Sequence, residues 1–324
     1  MSTQRHDVLI SCDWGTTNLR MFLVDTETHQ IRASLASDDG AVKINAEFQK
    51  INNGNRVSFF REFLQKKLGK LLKKHGISSK GIPIFASGMV SSTIGAIEVP
   101  YASLPFSCKT PELNFEFFEA TSNFSNPFYV FGGIKDKLDV IRGEETQLLG
   151  LQEEFPTGEC ILILPGTHSK HIFINKREVV HFKTFMTGEV FQLLSEKSLL
   201  KNSVQKSSIL EHSRSFKKGI LASQSKGLFH ELFSIRAKSL LQLASLQENH
   251  AFLSGLVIGE ELKTISRHQN QIVLASTEPL GSLYELALDT LDHKNSVKIV
   301  PPEIIDNAVP MAHLKLYQNL IAPK

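Results

Sequence analysis

DWGTTNLR, residues 13–20, opens with a polar, glycine-bearing turn at residues 13–18 that lies between two apolar runs. The runs occupy residues 8–12 and 20–24, and two such runs joined by a short polar turn are typical of a β-hairpin. A turn with one glycine and two threonines presents backbone N–H groups and hydroxyls in one concavity, which suits phosphate oxygens. Because Asp, Gly, Thr and Asn are common in any turn, an ordinary hairpin is the alternative interpretation.

The second half of the chain repeats this pattern. Residues 160–164 are an apolar run, PGTHSK at 165–170 is a polar turn, and residues 171–175 are a second apolar run. Each half continues into alternating helix and strand patterns, which predicts α/β domains with helices on both faces of a sheet. Two Gly-Thr turns at matching positions indicate a pair of hairpins that hold a polyphosphate from opposite sides. A ligand of two such domains is expected in the cleft between them.

Length and composition fit a two-domain enzyme. The chain has 324 residues, of which 41% are hydrophobic and 21% are charged, and this length favours two domains. The turn cluster at residues 155–158 is the predicted boundary, which gives domains 1–156 and 157–324. The net charge of +3 is spread along the chain, so we expect no nucleic-acid partner. The oligomeric state stays open.

The sequence also bears on the cellular compartment. Apolar stretches such as Ile161–Leu164 are far shorter than the roughly 20 residues of a membrane span, and the first seven residues lack the core of a secretory signal. Cys12, Cys108 and Cys160 are far apart and form no CxxC pair, which argues against a disulfide framework and a cysteine zinc site. We therefore expect a cytoplasmic protein with no membrane partner.

Other patterns predict the remaining helices and strands. The clearest is an amphipathic helix from Ser58 to His75, in which apolar residues recur at three- and four-residue spacing. Further helices are predicted near residues 143–154, 187–200, 228–247, 249–265, 281–291 and 309–322. Further strands are predicted near residues 31–35, 82–86, 128–131, 178–184, 271–275 and 297–300.

Two charged residues flank the first turn. Asp13 ends the first strand and could hold Mg²⁺ directly or through water, because this ion prefers carboxylate oxygens and retained waters. Arg20 could bind a phosphate through its bidentate fork. His168 and His171 stand near the second turn, but they face different directions on a strand and no further ligands mark a metal site there.

A carboxylate pair, Glu144 and Glu145, stands at the predicted start of a helix. One interpretation is structural, because acidic residues favour helix N-termini through the helix dipole. The other is a general base that takes a proton from a substrate hydroxyl as the hydroxyl attacks a γ-phosphoryl group. The chain has neither a GxxxxGK[ST] loop nor a GxSxG elbow, which argues against a P-loop enzyme and the usual hydrolase.

Six motifs together resemble the 2-dehydro-3-deoxygalactonokinase family. They are DWGTTNLR (13–20), SGMVSSTIGAIEVPYASLP (87–105), RGEETQLLG (142–150), LPGTHSKHIFI (164–174), FMTGEVFQLL (185–194) and FLSGLVIGEEL (252–262). They follow the family's order from about residue 8 to about residue 290. The resemblance implies the superfamily of sugar kinases, heat-shock chaperones and actin, in which two ribonuclease H-like α/β domains face each other across an ATP-binding cleft.

The resemblance implies roles for individual residues. The residues expected to bind ATP are Asp13, Gly15, Thr16, Thr17 and Arg20 at the first turn, Gly166, Thr167 and His168 at the second, and Ser276 in an adenosine motif. Mg²⁺ is expected near Asp13. Glu144 matches the position of the catalytic base, with Glu145 as the alternative. The residues expected in the sugar pocket are Ser87, Gly88 and Met89.

Two positions depart from the family pattern. Glycine normally follows the strand of the adenosine motif, whereas Ala275 and Ser276 stand here, and their side chains are expected to narrow the nucleotide site. The family's Gly-Trp after the methionine loop is Gly95-Ala96, which is expected to open or reshape the substrate pocket.

The implied reaction is phosphoryl transfer from ATP to O6 of 2-dehydro-3-deoxy-D-galactonate, in galactonate or galactose catabolism. Mg²⁺ would bridge phosphate oxygens, and domain closure would exclude water. Three alternatives stay open at this point. They are a kinase of the same fold for another sugar acid or amino sugar, a catalytically silent sensor of ATP or sugar, and a substrate-independent ATPase.

Overall fold

The structure, a computed structural model, describes residues 6–51, 54–73, 76–225, 227–265, 271–293 and 296–321. Its strands are β1 (Val8–Trp14), β2 (Leu19–Asp25), β3 (Ile31–Ser37), β4 (Ile84–Gly88), β5 (Ala102–Ser103), β6 (Phe106–Ser107), β7 (Phe115–Phe118), β8 (Phe128–Phe131), β9 (Ile134–Lys135), β10 (Val140–Ile141), β11 (Glu159–Leu164), β12 (Ser169–Asn175), β13 (Glu178–Phe185), β14 (Ile272–Leu274) and β15 (Val297–Ile299). Its helices are α1 (Ala41–Phe48), α2 (Arg56–Lys73), α3 (Glu144–Gly150), α4 (Thr187–Glu196), α5 (Ser213–Ser225), α6 (Leu228–Leu240), α7 (Leu246–Leu262), α8 (Leu280–Thr290) and α9 (Pro302–Leu320). Within the described residues, no helix combines the length and the apolar character needed to cross a membrane.

The contacts within the chain divide it into two compact units. Unit 1 comprises Met1–Glu153, Arg177–Val179 and Asp306–Lys324, and unit 2 comprises Glu154–Lys176 and Val180–Ile305. The predicted domains, residues 1–156 and 157–324, are each one continuous segment of the chain. In the structure most of α9, which is close to the C-terminal end, belongs to unit 1. Two ends of predicted helices, His75 and Ala322, lie outside the described residues.

Unit 1 is built on a six-stranded sheet of order β3-β2-β1-β4-β8-β7. β2 pairs antiparallel with both β1 and β3, β4 pairs parallel with β1 and β8, and β7 pairs antiparallel with β8. Residues 9–12 of the central strand β1 are all buried, as expected for a strand that is covered on both faces. The sheet brings the carboxyl ends of β1 and β4 side by side, where a ligand of an α/β sheet usually binds.

Unit 2 repeats this topology. Its strands lie in the order β15-β14-β11-β12-β13, with β11 antiparallel to β12 and parallel to β14, and β14 parallel to β15. The series β8-β4-β1-β2-β3 of unit 1 has the same order, and its pairs β8-β4, β4-β1 and β1-β2 have the same directions as β15-β14, β14-β11 and β11-β12. The prediction of two similar α/β domains, each opening with a hairpin, is therefore confirmed.

The final helix packs on unit 1 through contacts that span most of the chain. Nδ1 of His313 in α9 lies 2.7 Å from Oγ of Ser11 in β1, and its ring stacks on Phe131. Burial lowers the pKa of His313 to about 3, so this ring is neutral. Nearby, a Cβ at Gly150 of α3 would stand 1.8 Å from the carbonyl oxygen of Ala308, so glycine allows α3 to touch the backbone of α9.

Two helices of unit 2 approach each other closely at glycines. A Cβ at Gly219 of α5 would stand 2.2 Å from the carbonyl oxygen of Phe252, and a Cβ at Gly255 of α7 would stand 2.0 Å from the carbonyl oxygen of Phe216. A side chain at either glycine would push the helices apart. The glycines of the FLSGLVIGEEL motif therefore have a packing role.

Candidate active site

The turn between β1 and β2 rests on the N-terminus of α1. The N–H of Gly15 donates to the carbonyl oxygen of Asn18 at 2.9 Å and closes the turn. Three carbonyl oxygens of the turn accept from N–H groups at the start of α1, which are Gly15 from Ala41 (3.0 Å), Thr16 from Val42 (3.2 Å) and Thr17 from Gly40 (3.0 Å). Since these carbonyls face the helix, the exposed Thr16 and Thr17 remain accessible to a ligand.

This arrangement requires glycine at position 40. A Cβ there would stand 2.3 Å from the carbonyl oxygen of Thr16 and from the carbonyl carbon of Thr17. Both atoms belong to the backbone, so they cannot move aside as a flexible side chain would. Gly40 therefore sets how closely α1 supports the first turn, and it is not among the site residues predicted from the sequence.

Asp13 and Arg20 form an ion pair across the hairpin. They stand opposite each other in the β1–β2 register, and Oδ2 of Asp13 accepts from Nη2 of Arg20 at 2.5 Å and from Nε at 3.0 Å. The side chain of Asp13 is 17% exposed and that of Arg20 is 45% exposed. The two residues predicted to bind a cation and a phosphate therefore neutralise each other here, and both remain open to solvent.

The end of β4 carries the residues predicted for the sugar pocket. Ser87 pairs with Asp13 and Gly88 pairs with Trp14 in the parallel register of β4 and β1. Gly88 has φ +87°, and a Cβ there would stand 2.8 Å from the carbonyl oxygen of Trp14, so only glycine fits. Ser87 is fully buried, and its Oγ has no hydrogen-bond partner among the described residues. Met89 is half-buried at the start of the following turn.

The start of α3 meets this edge of the sheet. Gly143 has φ +102°, and a Cβ there would stand 3.4 Å from Cα of Gly88. Thus the structure brings together, within unit 1, the first turn, the SGM segment and the carboxylate pair of the RGEE segment. These three motifs are far apart in sequence, and the parallel pairing of β1 with β4 places them at one edge.

The two carboxylates of α3 differ in environment. Glu145 is fully buried, and its oxygens accept from the N–H of Gly143 (2.7 Å) and from Oγ1 of Thr146 (3.0 Å). Burial, and then the charge of Glu144, raises the pKa of Glu145 to about 8. Glu144 is only half-buried, and its Oε2 accepts from the N–H of Arg142 at 3.1 Å.

Arg142 holds the loop that follows β4. Its guanidinium donates to the carbonyl oxygen and the hydroxyl of Ser91, to the carbonyl oxygen of Val99 and to the hydroxyl of Tyr101, whose ring lies 4.3 Å from the guanidinium carbon. This residue therefore ties the SGMV loop to the carboxylate pair. Its place in the RGEE segment was the only signal in the sequence, and its partners lie 41 to 51 residues away.

Ala96 has a different environment from the one expected. It is 2% exposed and belongs to the hydrophobic core of unit 1. The adjacent Gly95 approaches the backbone closely, since a Cβ there would stand 2.1 Å from the carbonyl oxygen of Val90. The departure from the family's Gly-Trp therefore changes the packing beneath the loop, and Ala96 does not present its side chain on an open surface.

The second turn, in unit 2, is supported in the same way as the first. The carbonyl oxygen of Thr167 accepts from the N–H of Glu189 in α4 at 3.1 Å. A Cβ at Gly188 would stand 2.7 Å from the carbonyl oxygen of Gly166, so glycine again allows a helix start to contact the turn. Thr167 and His168 are exposed, and Nε2 of His168 lies 2.6 Å from Oε2 of Glu189. In both hairpins a turn carbonyl is bonded to the supporting helix while the threonines of the turn are exposed, and in the second hairpin His168 also contacts that helix through Glu189.

A cavity of about 470 Å³ lies in unit 2 beside the second turn. Gly166 and Gly188 line its wall near the turn. Most of the remaining wall is formed by side chains of α4, α7 and α8, including Phe191, His250, Val257, Leu280 and Leu283. The cavity lies within the range of about 300–1,000 Å³ that small-molecule sites occupy.

The predicted adenosine residue lies close to this cavity in sequence. Ser276 is half-buried just after β14, and its carbonyl oxygen would be 3.0 Å from a Cβ at Gly281 in α8. The same loop contributes Pro279 to the cavity wall, and Leu280 follows it as the first residue of α8. The loop that carries Ser276 therefore borders the cavity, and Ser276 itself is not among the lining residues.

Side chains that could bind a metal ion do not cluster in the part of the chain that the structure describes. Among the residues that the structure describes, no group of three or more His, Cys, Asp and Glu side chains is placed to hold a metal ion. Asp13, at the first turn, suits Mg²⁺, which commonly takes one or two carboxylates together with waters and substrate phosphates. The donor set at that turn fits this ion and does not fit a metal that needs several protein ligands.

The chain resembles known proteins over nearly its whole length. The family model described as 2-keto-3-deoxy-galactonokinase matches residues 13–301. A 2-dehydro-3-deoxygalactonokinase from Escherichia coli (strain K12) is 27% identical over 291 residues, which cover 87% of this chain and 89% of that protein. The crystal structure of a candidate 2-dehydro-3-deoxygalactonokinase from Sinorhizobium meliloti matches with a TM-score of 0.80 and 25% identity, covering 98% of this chain and 97% of the other. The family predicted from the motifs is thus confirmed, and the chain belongs to the 2-keto-3-deoxy-galactonokinase family.

Proposed function

We propose that this protein transfers the γ-phosphoryl group of ATP to a 2-keto-3-deoxy sugar acid, 2-dehydro-3-deoxy-D-galactonate, at O6. One observation carries the proposal. The ends of β1 and β4 and the start of α3 meet in unit 1, at Trp14, Gly88 and Gly143. That contact puts a carboxylate pair and Asp13 beside a turn suited to phosphate oxygens. The choice of substrate is supported by the family of the chain and by the name of its Escherichia coli relative.

We assign the catalytic base to Glu144. A base must reach the substrate hydroxyl, and the half-buried Glu144 is accessible whereas the fully buried Glu145 is not. Both oxygens of Glu145 already accept hydrogen bonds within α3 and its N-terminus. In this assignment Glu145 is a positioning residue that holds Gly143, and through it the start of α3.

Within each unit, the exposed side of the glycine turn is assigned to phosphate oxygens of ATP. Thr16 and Thr17 of the first turn and Thr167 and His168 of the second are exposed, while the carbonyls that the structure shows bonded face the supporting helices. We assign the adenosine to the cavity beside Gly166, because that cavity is mainly apolar and adjoins the second turn. The terms that lower the barrier are positioning and charge stabilisation, as in other phosphoryl transfers.

Mg²⁺ is assigned to Asp13. When bound, the ion would neutralise charge on the phosphate oxygens. Oδ2 of Asp13 accepts two hydrogen bonds from Arg20, so coordination of Mg²⁺ through that oxygen would require the guanidinium to move. The displaced guanidinium would then be free to bind a phosphate. We place the reaction in the cytoplasm, since the three cysteines are free buried thiols that suit a reducing compartment.

The first test is an assay of ADP release with Mg-ATP and a panel of 2-keto-3-deoxy acids and simple hexoses. Turnover with 2-keto-3-deoxygalactonate alone supports the proposal. Turnover only with another sugar acid keeps the mechanism and refutes the substrate. Binding of ATP without turnover on any member of the panel contradicts a kinase and favours a sensor.

The second test addresses the base. Glu144→Ala should leave ATP binding nearly intact and lower kcat by about 10²–10⁴-fold, the usual contribution of general base catalysis. Glu153→Ala is the matched control, because Glu153 is an exposed glutamate of the same unit that pairs with Arg177 on the surface. Retention of activity within a few-fold in Glu144→Ala would show that the base is elsewhere.

A further inference from the structure

A buried carboxylate in unit 2 lies outside the mechanism described so far. Glu261 belongs to the FLSGLVIGEEL motif in α7 and is 3% exposed. Its Oε1 lies 2.9 Å from Nε2 of His171, and its Oε2 accepts from the hydroxyls of Tyr284 (2.7 Å) and Thr187. Burying a carboxylate costs free energy because the group loses its water. Three side chains converge on Glu261 and hold it in one position.

One branch of this cluster leads to the second turn. Tyr284 uses its single hydroxyl hydrogen for Glu261, so its oxygen accepts from Oγ of Ser169 at 3.0 Å. Oγ of Ser169 in turn accepts from the N–H of Gly166 at 3.4 Å. The result is a directed chain of hydrogen bonds from Gly166 to a carboxylate, and such chains strengthen one another in a low-dielectric interior.

The electrostatics support the direction of the chain. Burial, and then the negative charge of Glu261, raises the pKa of Tyr284 well above its ordinary value, so the phenol keeps its proton. Nδ1 of His171 is buried and has no hydrogen-bond partner among the described residues, so Nε2 is the ring nitrogen that bonds to Glu261. The carboxylate therefore accepts all three hydrogen bonds.

The other branch leads to the helix that supports the same turn. Thr187, which bonds to Glu261, is the first residue of α4. The next two residues are Gly188, which packs against the turn, and Glu189, whose N–H donates to the carbonyl oxygen of Thr167. Glu261 thus connects to the second turn from both sides, through β12 and through α4.

We propose that Glu261 is a positioning residue that orients the second phosphate turn, acting through Tyr284 and Ser169 on one side and Thr187 on the other. The inference rests on the proposed function, because it requires that this turn holds the phosphates of ATP. A purely structural cluster would stabilise unit 2 and leave the affinity for nucleotide phosphates unchanged.

The test compares Ser169→Ala, Tyr284→Phe and the double variant, and Ser169→Ala is the decisive change because Tyr284 also lines the cavity assigned to adenosine whereas Ser169 does not. Each single change breaks the chain at one link, so we expect the Kd for ADP and the KM for ATP to rise about tenfold, the equivalent of one lost hydrogen bond. Because both residues act in one chain, the double variant should lose no more than a single variant. The KM for the sugar acid should stay within about twofold of the wild-type value, since the residues assigned to it are in unit 1.

Tyr317→Phe is the matched control. Tyr317 is a tyrosine of unit 1 that is 2% exposed, and its hydroxyl bonds to the backbone of His6. It should lower the melting temperature without changing ADP binding, which titration calorimetry measures directly. Unchanged ADP affinity in Ser169→Ala and Tyr284→Phe, additive losses in the double variant, or an equal loss in Tyr317→Phe would overturn the proposal. Failure of the wild-type protein to bind ADP would instead refute the proposed function.

Discussion

Replacing Glu145 by glutamine should change how the stability of unit 1 depends on pH. Burial and the neighbouring charge of Glu144 raise the pKa of Glu145 from 4.5 to about 8. The folded state therefore keeps a proton that the unfolded state releases above about pH 4.5. The stability that this carboxyl contributes is present below that pH and is lost as the pH rises through about 8.

The magnitude follows from these two pKa values. Integrating the linkage relation between about pH 5 and about pH 8 gives a loss of about 3 kcal/mol of unfolding free energy in the wild-type protein. The amide of the Glu145→Gln variant would have no charge to bury at any pH, and its oxygen could still accept from the N–H of Gly143. The unfolding free energy of Glu145→Gln, relative to wild type, should therefore rise by about 3 kcal/mol over this range.

The chain carries its own probe for this measurement. Trp14 is the single tryptophan, is fully buried in unit 1, and packs 5.1 Å from the ring of Phe60. Its fluorescence in urea titrations at pH 5, 6, 7 and 8 reports the unfolding of unit 1. Glu153→Gln is the control, since the side chain of Glu153 is 71% exposed, and the pH profile of this variant should run parallel to that of the wild type. A Glu145→Gln profile parallel to wild type would refute the reasoning.

The other predictions concern the first turn, the loop after β4 and the metal. Gly40→Ala should destabilise unit 1 by about 1–3 kcal/mol and raise the KM for ATP, because its Cβ would overlap backbone atoms. Gly69→Ala is the control, because a Cβ there meets nothing within 4 Å, and it should stabilise α2 by about 0.5–1 kcal/mol. Equal unfolding free energies of the two variants in denaturant titrations would contradict this prediction. Arg142→Lys removes the planar guanidinium that holds the loop after β4, so the KM for the sugar acid should rise about tenfold while the KM for ATP stays unchanged. Equal increases in both KM values would show that Arg142 does not act on the sugar pocket alone. EDTA should abolish turnover, and Asp13→Asn should raise the Mg²⁺ concentration needed to restore it by about tenfold or more; an unchanged Mg²⁺ titration would place the ion elsewhere.

The hairpins could be predicted because their signals are local. The apolar runs at residues 8–12 and 20–24 correspond to β1 and β2, which the structure extends to Trp14 and Asp25. Cross-strand pairing continues past the apolar residues and causes the extension. The matched turns also led correctly to two similar domains, since both signals lie within a few residues of sequence.

Helix ends were predicted less well than helix cores. The predicted helix at residues 228–247 ends at Leu240, and α7 begins at Leu246, three residues earlier than expected. A capping box of Ser245 and Glu248 sets that start, and the SLQE sequence carried the signal. α1 and α5 were not predicted, although the buried residues of each recur at helical spacing, such as Ala41 and Ile44 in α1 and Phe216 and Ile220 in α5.

The sequence predicts which residues belong to the candidate site, but it does not predict their hydrogen-bond partners. Residue types and spacing identified Asp13, Gly88 and Glu144, and parallel pairing of β1 with β4 brings their segments together. The side-chain contacts of Arg142 and of Glu261 join residues 23 to 90 positions apart, and no local pattern encodes them. The return of α9 to unit 1 is a third case of the same kind.

The path of α9 has a consequence for how the protein is made. A ribosome releases the strands of unit 1 first, then the whole of unit 2, and only afterwards the helix that carries His313 and Tyr317. During that interval Ser11 and Phe85 of unit 1 lack the side chains that cover them in the finished fold. A nonsense mutation just before Asp306 would therefore damage the unit encoded at the opposite end of the gene, the one that holds the carboxylate pair.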